Sequence, residues 1–265
     1  MKGVVLSIAP DVNFVDVTHD IPPQDVVQGA YVLSTVVRFL PRGTVHLAVV
    51  DPGVGTGRRP IALRCEGSYL VGPDNGLISL AVDELLGRRT KVSLAPSDDL
   101  VDLVTLVEAE IPTEVEAVEL VEPSYRLDDV SDTFHGRDIF ASASAHICLG
   151  VELDKMGPRI DTMRWVRLAS PVKHADGLIE AQILCVDRYG NAITTLLYDP
   201  QMDGASVELA SHSIANISTN YADGPEELLA IWGSSGRLEI AVRNGSAAQA
   251  LKLTRGDRVL VRLRV

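Results

Sequence analysis

Apolar and polar positions along the chain fall into two regimes. Up to about residue 165, runs with strand character alternate with helical ones: NFVDVTHDI (13–21), DVVQGAYVLSTVVRFL (25–40), TVHLAVVDPG (44–53), PIALRCEGSYLVGPDNG (60–76) and LISLAVDELLG (77–87). Such alternation predicts a mostly parallel sheet with helices on its faces. The helix over 25–40 has clear boundaries, since Pro22 and Pro23 precede it, Asp25 sits at its start, and Pro41 and Gly43 stop it. From residue 171 the grammar changes. LIEAQILCVD (178–187), AITTLLY (192–198), ASVELA (205–210), RLEIAVRN (237–244) and DRVLVRLRV (257–265) follow one another, with the turn signals DRYGN, DPQMDG, RNGS and TRGD between them. Short strands in close succession predict a small antiparallel barrel or sandwich. Pro171 and the polar KHADG (173–177) read as a linker, so the expected domains are 1–170 and 171–265.

Composition narrows the class. With 265 residues, 46% of them hydrophobic, the chain has enough apolar material for a globular core. Its apolar stretches fall short of the roughly 20 residues that span a bilayer. MKGVVLSIAP lacks the pattern of a signal peptide. The reading is a soluble, cytoplasmic protein with no membrane partner. The three cysteines, Cys65, Cys148 and Cys185, are far apart in apolar company, which predicts reduced core thiols and no metal site. A formal charge of −12 without any basic stripe argues against nucleic acid. Much of the acid is local: residues 97–122 hold Asp98, Asp99, Asp102, Glu108, Glu110, Glu114, Glu116, Glu119 and Glu122 and no Lys or Arg. That run reads as a solvated surface insertion.

Several stretches carry candidate chemistry. VVDPGVGTGRRP (49–60) places Gly53, Gly55 and Gly57 between Asp51 and Arg58. It is no phosphate loop, because the required lysine is missing, and no dinucleotide fingerprint, because the glycines fall as GxGxG before a strand. A tight turn explains the glycines, whereas Asp51, at the end of a buried strand, lies where open α/β sheets place ligands. In TFHGRDIFASASAH (133–146), His135 is either structural or catalytic, and Arg137 and Asp138 read as a surface base and a helix-start acid. VGPDNG (71–76), VDRYGNAITT (186–195) and WGSSGRLEIAVRNG (232–245) each read in isolation as loops.

Taken together and in this order, DPGVGTxR, PDNG, TFHGRD, VDRYGN and SSGxLEIAV resemble the S-adenosylmethionine hydroxide adenosyltransferases, a family related to fluorinases and chlorinases. The resemblance spans the chain, interrupted by the acidic run. It implies an N-terminal Rossmann-like α/β domain and a C-terminal β-barrel-like domain. It also implies a homotrimer with ligand at the subunit interface, and hydrolysis of S-adenosyl-L-methionine to adenosine and methionine with no cofactor. The catalytic Asp, Arg and His map onto Asp51, Arg58 and His135, with the choice of base open between Asp51 and His135. Asp187 and Asn191 match positions holding the methionine amino group, and Ser234 matches a serine near its carboxylate. Phe134 and Tyr221 match aromatic positions flanking the adenosine, and Asn75 and Gly76 read as support.

Members of the family carry a strand and a ribose-gripping aspartate ahead of the MKG at residues 1–3. The expectation is therefore either an upstream segment or a sheet short of a central strand. Two other functions stay open: a halide-using relative, and a weakly catalytic protein that binds adenosine or S-adenosylmethionine.

Overall fold

The computed structural model describes residues 1–88, 102–222 and 227–264. These form two compact units, one of residues 1–88 with 106–167 and one of 102–105 with 168–264.

The first unit opens with helix α1 (Lys2–Ile8), followed by α2 (Val26–Val36), strands β1 (Val45–Leu47), β2 (Pro60–Cys65) and β3 (Ser68–Pro73), and α3 (Ser79–Leu85). Strands β4 (Val104–Glu110) and β5 (Glu116–Glu119), helix α4 (Ser142–Cys148) and strand β6 (Thr162–Leu168) complete it, except that Val104, Thr105 and Leu168 belong to the second unit. Helix α2 starts where the proline and aspartate signals put it. The Asp25 carboxylate accepts the Gln28 amide at 2.9 Å, satisfying one of the amides that a helix start leaves unpaired. A four-stranded sheet in the order β1-β3-β2-β5 forms the centre. Its strands read as near-continuous apolar runs because both faces are covered. Ile61, Leu63, Cys65 and Leu70 pack with Leu33, Ile78 and Val82 of α2 and the α3 region on one face. Ala62, Val71 and Val118 meet Phe140, Ala143 and Ile147 on the other.

Several sequence expectations change here. The sheet is not mostly parallel: β1 runs parallel to β3, but β2 pairs antiparallel with both β3 and β5. The cause is a tight hairpin between β2 and β3, where Glu66 (φ 50°) and Gly67 (φ 80°) both adopt left-handed backbone. Next, 13–21 forms no strand, and Phe14, Val15 and Val17 are exposed. A ladder needs a partner, and among the described residues none pairs with it. Finally, the acidic run is not all solvated insertion. Its residues up to 101 lie outside the described residues, but 116–119 form β5, a strand of the central sheet, with Ala117 and Val118 buried. Cys65 and Cys185 are buried as read, whereas Cys148 is exposed.

The second unit is a barrel-like sheet. Its strands are β7 (Val172–Lys173), β8 (Leu178–Val186), β9 (Ala192–Leu197), β10 (Ser206–Leu209), β11 (His212–Ile214), β12 (Ile217–Ser218), β13 (Leu228–Trp232), β14 (Arg237–Val242) and β15 (Arg258–Arg262). A short helix, α5 (Ala247–Leu251), lies between β14 and β15. The order is β11-β10-β15-β8-β9-β14-β13-β12, with β7 on β8, and every pairing except β12 with β13 is antiparallel. Ile179, Ala181, Ile183, Leu196, Val207, Ile240 and Val259 fill its interior. The KHADG stretch is not a free linker, since Lys173 already belongs to β7. Among the described residues no helix is long and apolar enough to cross a membrane.

One close approach in the first unit is testable. A Cβ on Gly72 would collide with the Ala48 carbonyl oxygen. Gly72→Ala is expected to lower unfolding stability by about 1–3 kcal/mol, read by denaturant titration. An unchanged midpoint would show that the backbones do not approach this closely.

Candidate active site

The chain leaves β1 through Ala48, whose amide donates to the Val71 carbonyl at 3.0 Å, and reaches Asp51 at the head of the glycine-rich loop. That loop returns to β2 through tight turns. The Val54 amide donates to the Asp51 carbonyl at 3.3 Å, and the Thr56 hydroxyl to the Gly53 carbonyl at 2.6 Å. Gly55 is required twice over: its φ is +74°, and a Cβ there would strike the Asp132 carbonyl oxygen.

The PDNG turn clamps both ends of this loop. Asn75 donates from Nδ2 to the Val50 carbonyl at 2.9 Å, just before Asp51. Just after Arg58, Arg59 donates to the buried Asp74 carboxylate from Nε at 3.0 Å and from Nη2 at 2.6 Å. Asp74 also accepts the Arg164 amide at 2.7 Å. The turn thus ties down both ends of the loop, through Asn75 and Asp74.

The folded-back loop brings Asp51 and Arg58 together. Arg58 donates from Nε to Oδ1 at 2.9 Å and to Oδ2 at 3.1 Å, and from Nη2 to Oδ2 as well. Both side chains are almost wholly buried, at 5% and 8% exposure, so this is a desolvated, two-pronged ion pair. The guanidinium lies over the Phe140 ring, 5.1 Å from its centroid.

His135 enters from a separate element. It caps the π-helical turn Gly136–Ala141 that leads into α4, and its Nδ1 lies 2.9 Å from Arg58 Nη2. A guanidinium only donates, so Nδ1 accepts, and the neutral ring carries its proton on Nε2. Burial pushes the His135 pKa below the usual 6.5; Arg58 adds to the shift and Asp51 opposes it. Arg58 Nη1 is buried and has no acceptor among the described residues.

Beside His135, Arg137 and Asp138 pair with each other. Asp138, fully buried, accepts Arg137 Nε at 2.5 Å, the Ser131 amide at 2.9 Å and the Ser131 hydroxyl at 2.9 Å. These donors, Arg137 foremost, hold its carboxyl down to about 2. Phe134 is 46% exposed, with the Arg137 guanidinium 5.0 Å from its centroid.

The second unit gathers a cluster of its own. The VDRYGN turn joins β8 to β9, and Asp187 organises it: Oδ1 accepts the Tyr189 amide at 2.8 Å and the Asn191 amide at 2.9 Å. Asn191 Nδ2 donates to Asp187 Oδ2 at 3.1 Å and lies 3.4 Å from the Tyr221 hydroxyl. Ser234 lies exposed on the turn between β13 and β14, where the Gly233 amide donates to the Arg237 carbonyl at 2.9 Å. No hydrogen bond joins Ser234 to Asp187, Asn191 or Tyr221 among the described residues.

One residue of this cluster goes unassigned in the sequence reading. Glu239, on β14, is only 8% exposed, and it accepts the Tyr221 hydroxyl at 3.4 Å. The available signal was an acid inside the apolar run LEIAV. Among the described residues no cluster of three or more His, Cys, Asp or Glu is placed to hold a metal ion.

Comparison with known proteins covers both units. A family model for the SAM hydroxide adenosyltransferase N-terminal domain matches residues 1–157, and one for the C-terminal domain matches 181–260. A relative from Salinispora tropica, named (R)-S-adenosyl-L-methionine hydrolase, is 40% identical over 264 residues, covering 98% of this chain and 90% of the relative. A fluorinase from Actinoplanes sp. is 30% identical over 198 residues, covering 74% and 65%. Among solved structures, an uncharacterized conserved protein from Thermotoga maritima matches with a TM-score of 0.79 at 28% identity, over 98% of this chain and 93% of that one.

The contact between Arg58 and His135 predicts how the ring titrates. A chemical-shift titration should place the His135 pKa below 6.5, and Arg58→Met should move it upward, since a positive neighbour is lost while Asp51 stays. An unmoved value in the variant would show that the 2.9 Å contact is not made in solution.

Proposed function

This chain belongs to the SAM hydroxide adenosyltransferase family, and from that premise we propose that it hydrolyses S-adenosyl-L-methionine to adenosine and L-methionine. The observation that carries the reading is the constellation of the buried Asp51–Arg58 pair with the half-buried His135. Attack on C5′ of the ribose forms a C5′–O bond and breaks the C5′–S bond, whose electron pair leaves on the methionine sulfur. The water must be held in line with the departing sulfur, and bulk solvent must be kept away.

The three side chains suit that task. As the C5′–O bond forms, the water oxygen becomes positive and its protons strongly acidic, so a carboxylate is base enough. Asp51 accepts the proton, because His135 Nδ1 is engaged by Arg58 and its Nε2 bears a hydrogen. His135 then donates to the water oxygen or to the product hydroxyl. Arg58 bridges Asp51 and His135, and its buried Nη1 is a further donor for orienting the water. By family resemblance, Asp187, Asn191 and Ser234 receive the methionine portion, and Phe134 and Tyr221 flank the adenosine.

Water rather than halide fits these residues. An anion brought next to the buried Asp51 carboxylate meets like charge where screening is weak. The fluorinase match is also shorter and lower in identity than the hydrolase match.

Incubation with S-adenosylmethionine, with and without chloride or fluoride, should yield adenosine and methionine in both cases. Asp51→Asn should lower kcat by about 100-fold or more. A 5′-halo nucleoside would favour the halogenating alternative, and ligand binding without turnover would favour a binding protein. Unimpaired hydrolysis by Asp51→Asn would remove Asp51 from the mechanism.

A further inference from the structure

Two carboxylates, Asp187 and Glu239, face the same partly buried corner of the second unit, and they are not equivalent. Asp187 is already engaged: Tyr189 N, Asn191 N and Asn191 Nδ2 all donate to it, so its charge is committed to holding its own turn. Glu239 has one long contact, from the Tyr221 hydroxyl at 3.4 Å to Oε2, and its Oε1 receives no hydrogen bond from the described residues. That oxygen lies against the backbone of Gly233, where any Cβ would overlap it. The glycine of the WGSSG turn thus makes room for the carboxylate beside Ser234.

A carboxylate this buried is costly without a cation. Burial, followed by the charge of Asp187, raises the Glu239 pKa above the usual carboxylate value, while the Tyr221 hydroxyl opposes the shift. Tyr221 is pushed up in turn by burial, Glu239 and Asp187. Among the described residues, the groups acting on Glu239 are thus a phenol and an acid, neither of them a cation.

We infer that Glu239 is a further substrate-binding residue, whose free oxygen receives the α-ammonium group of the methionine portion alongside Asp187, which also organises Asn191. The inference rests on the proposed substrate, and the neighbouring groups make chemical sense of it. An ammonium has three donors to place, and Glu239 Oε1 together with the Tyr221 and Asn191 oxygens can accept them. Bringing that cation in removes the conflict between the two acids.

Binding of L-methionine to the full chain, read by calorimetry, tests this without turnover. Glu239→Gln is expected to weaken L-methionine by about 10- to 100-fold, with adenosine affinity unchanged. Its desamino analogue, 4-(methylthio)butanoate, should bind parent and variant alike. Gly233→Ala keeps the acid but displaces it, and should weaken L-methionine in the same way. The inference fails if Glu239→Gln binds L-methionine as the parent does, if adenosine weakens in parallel, or if the parent takes up no L-methionine. A parent that binds L-methionine through Glu239 but does not hydrolyse S-adenosylmethionine would overturn the proposed function and leave this inference standing.

Discussion

A guanidinium taken out of water must be paired, and the first unit is organised around that requirement. Arg58 lies buried with Asp51 gripping it from one side and His135 accepting from it on another. Because arginine can only donate, it sets the histidine tautomer as well as its position. Replacing it would leave a buried carboxylate alone and free the ring to turn. The glycine-rich loop, the PDNG clamp and the π-helical turn all make sense as means of bringing these three side chains, from distant parts of the chain, to one point.

The second unit poses the converse problem. Its cluster holds Asp187 and Glu239 with no cation among the described groups that contact them, and Gly233, without a side chain, leaves room for one of the acids. A substrate that carries both an ammonium and a sulfonium has the charge this arrangement lacks. On the proposed reading, positive charge is supplied by the protein where a water is activated, and by the ligand where the amino acid is held.

What was legible in the sequence divides along physical lines. Local signals worked: Asp25 does cap α2, and the alternating runs after residue 171 do form antiparallel strands. The link between Asp51, Arg58 and His135 came from resemblance, because nothing in local pattern says that residues 58 and 135 will meet. Where the reading missed, the deciding factor was a partner elsewhere in the chain. NFVDVTHDI has the composition of a strand but finds no ladder. EVEAVEL reads as surface because of its charge, yet its apolar residues are buried on both faces of the sheet. Glu239 was hidden inside a run that otherwise spelled an ordinary core strand, and only its neighbours reveal it.

The central claim is that water attacks C5′ under the control of Asp51, Arg58 and His135. Hydrolysis of S-adenosylmethionine in oxygen-18-labelled water follows that oxygen directly. The account predicts adenosine carrying one label in its 5′-hydroxyl and methionine carrying none. Adenosine without label, or label found at any other carbon or in the methionine, would contradict it.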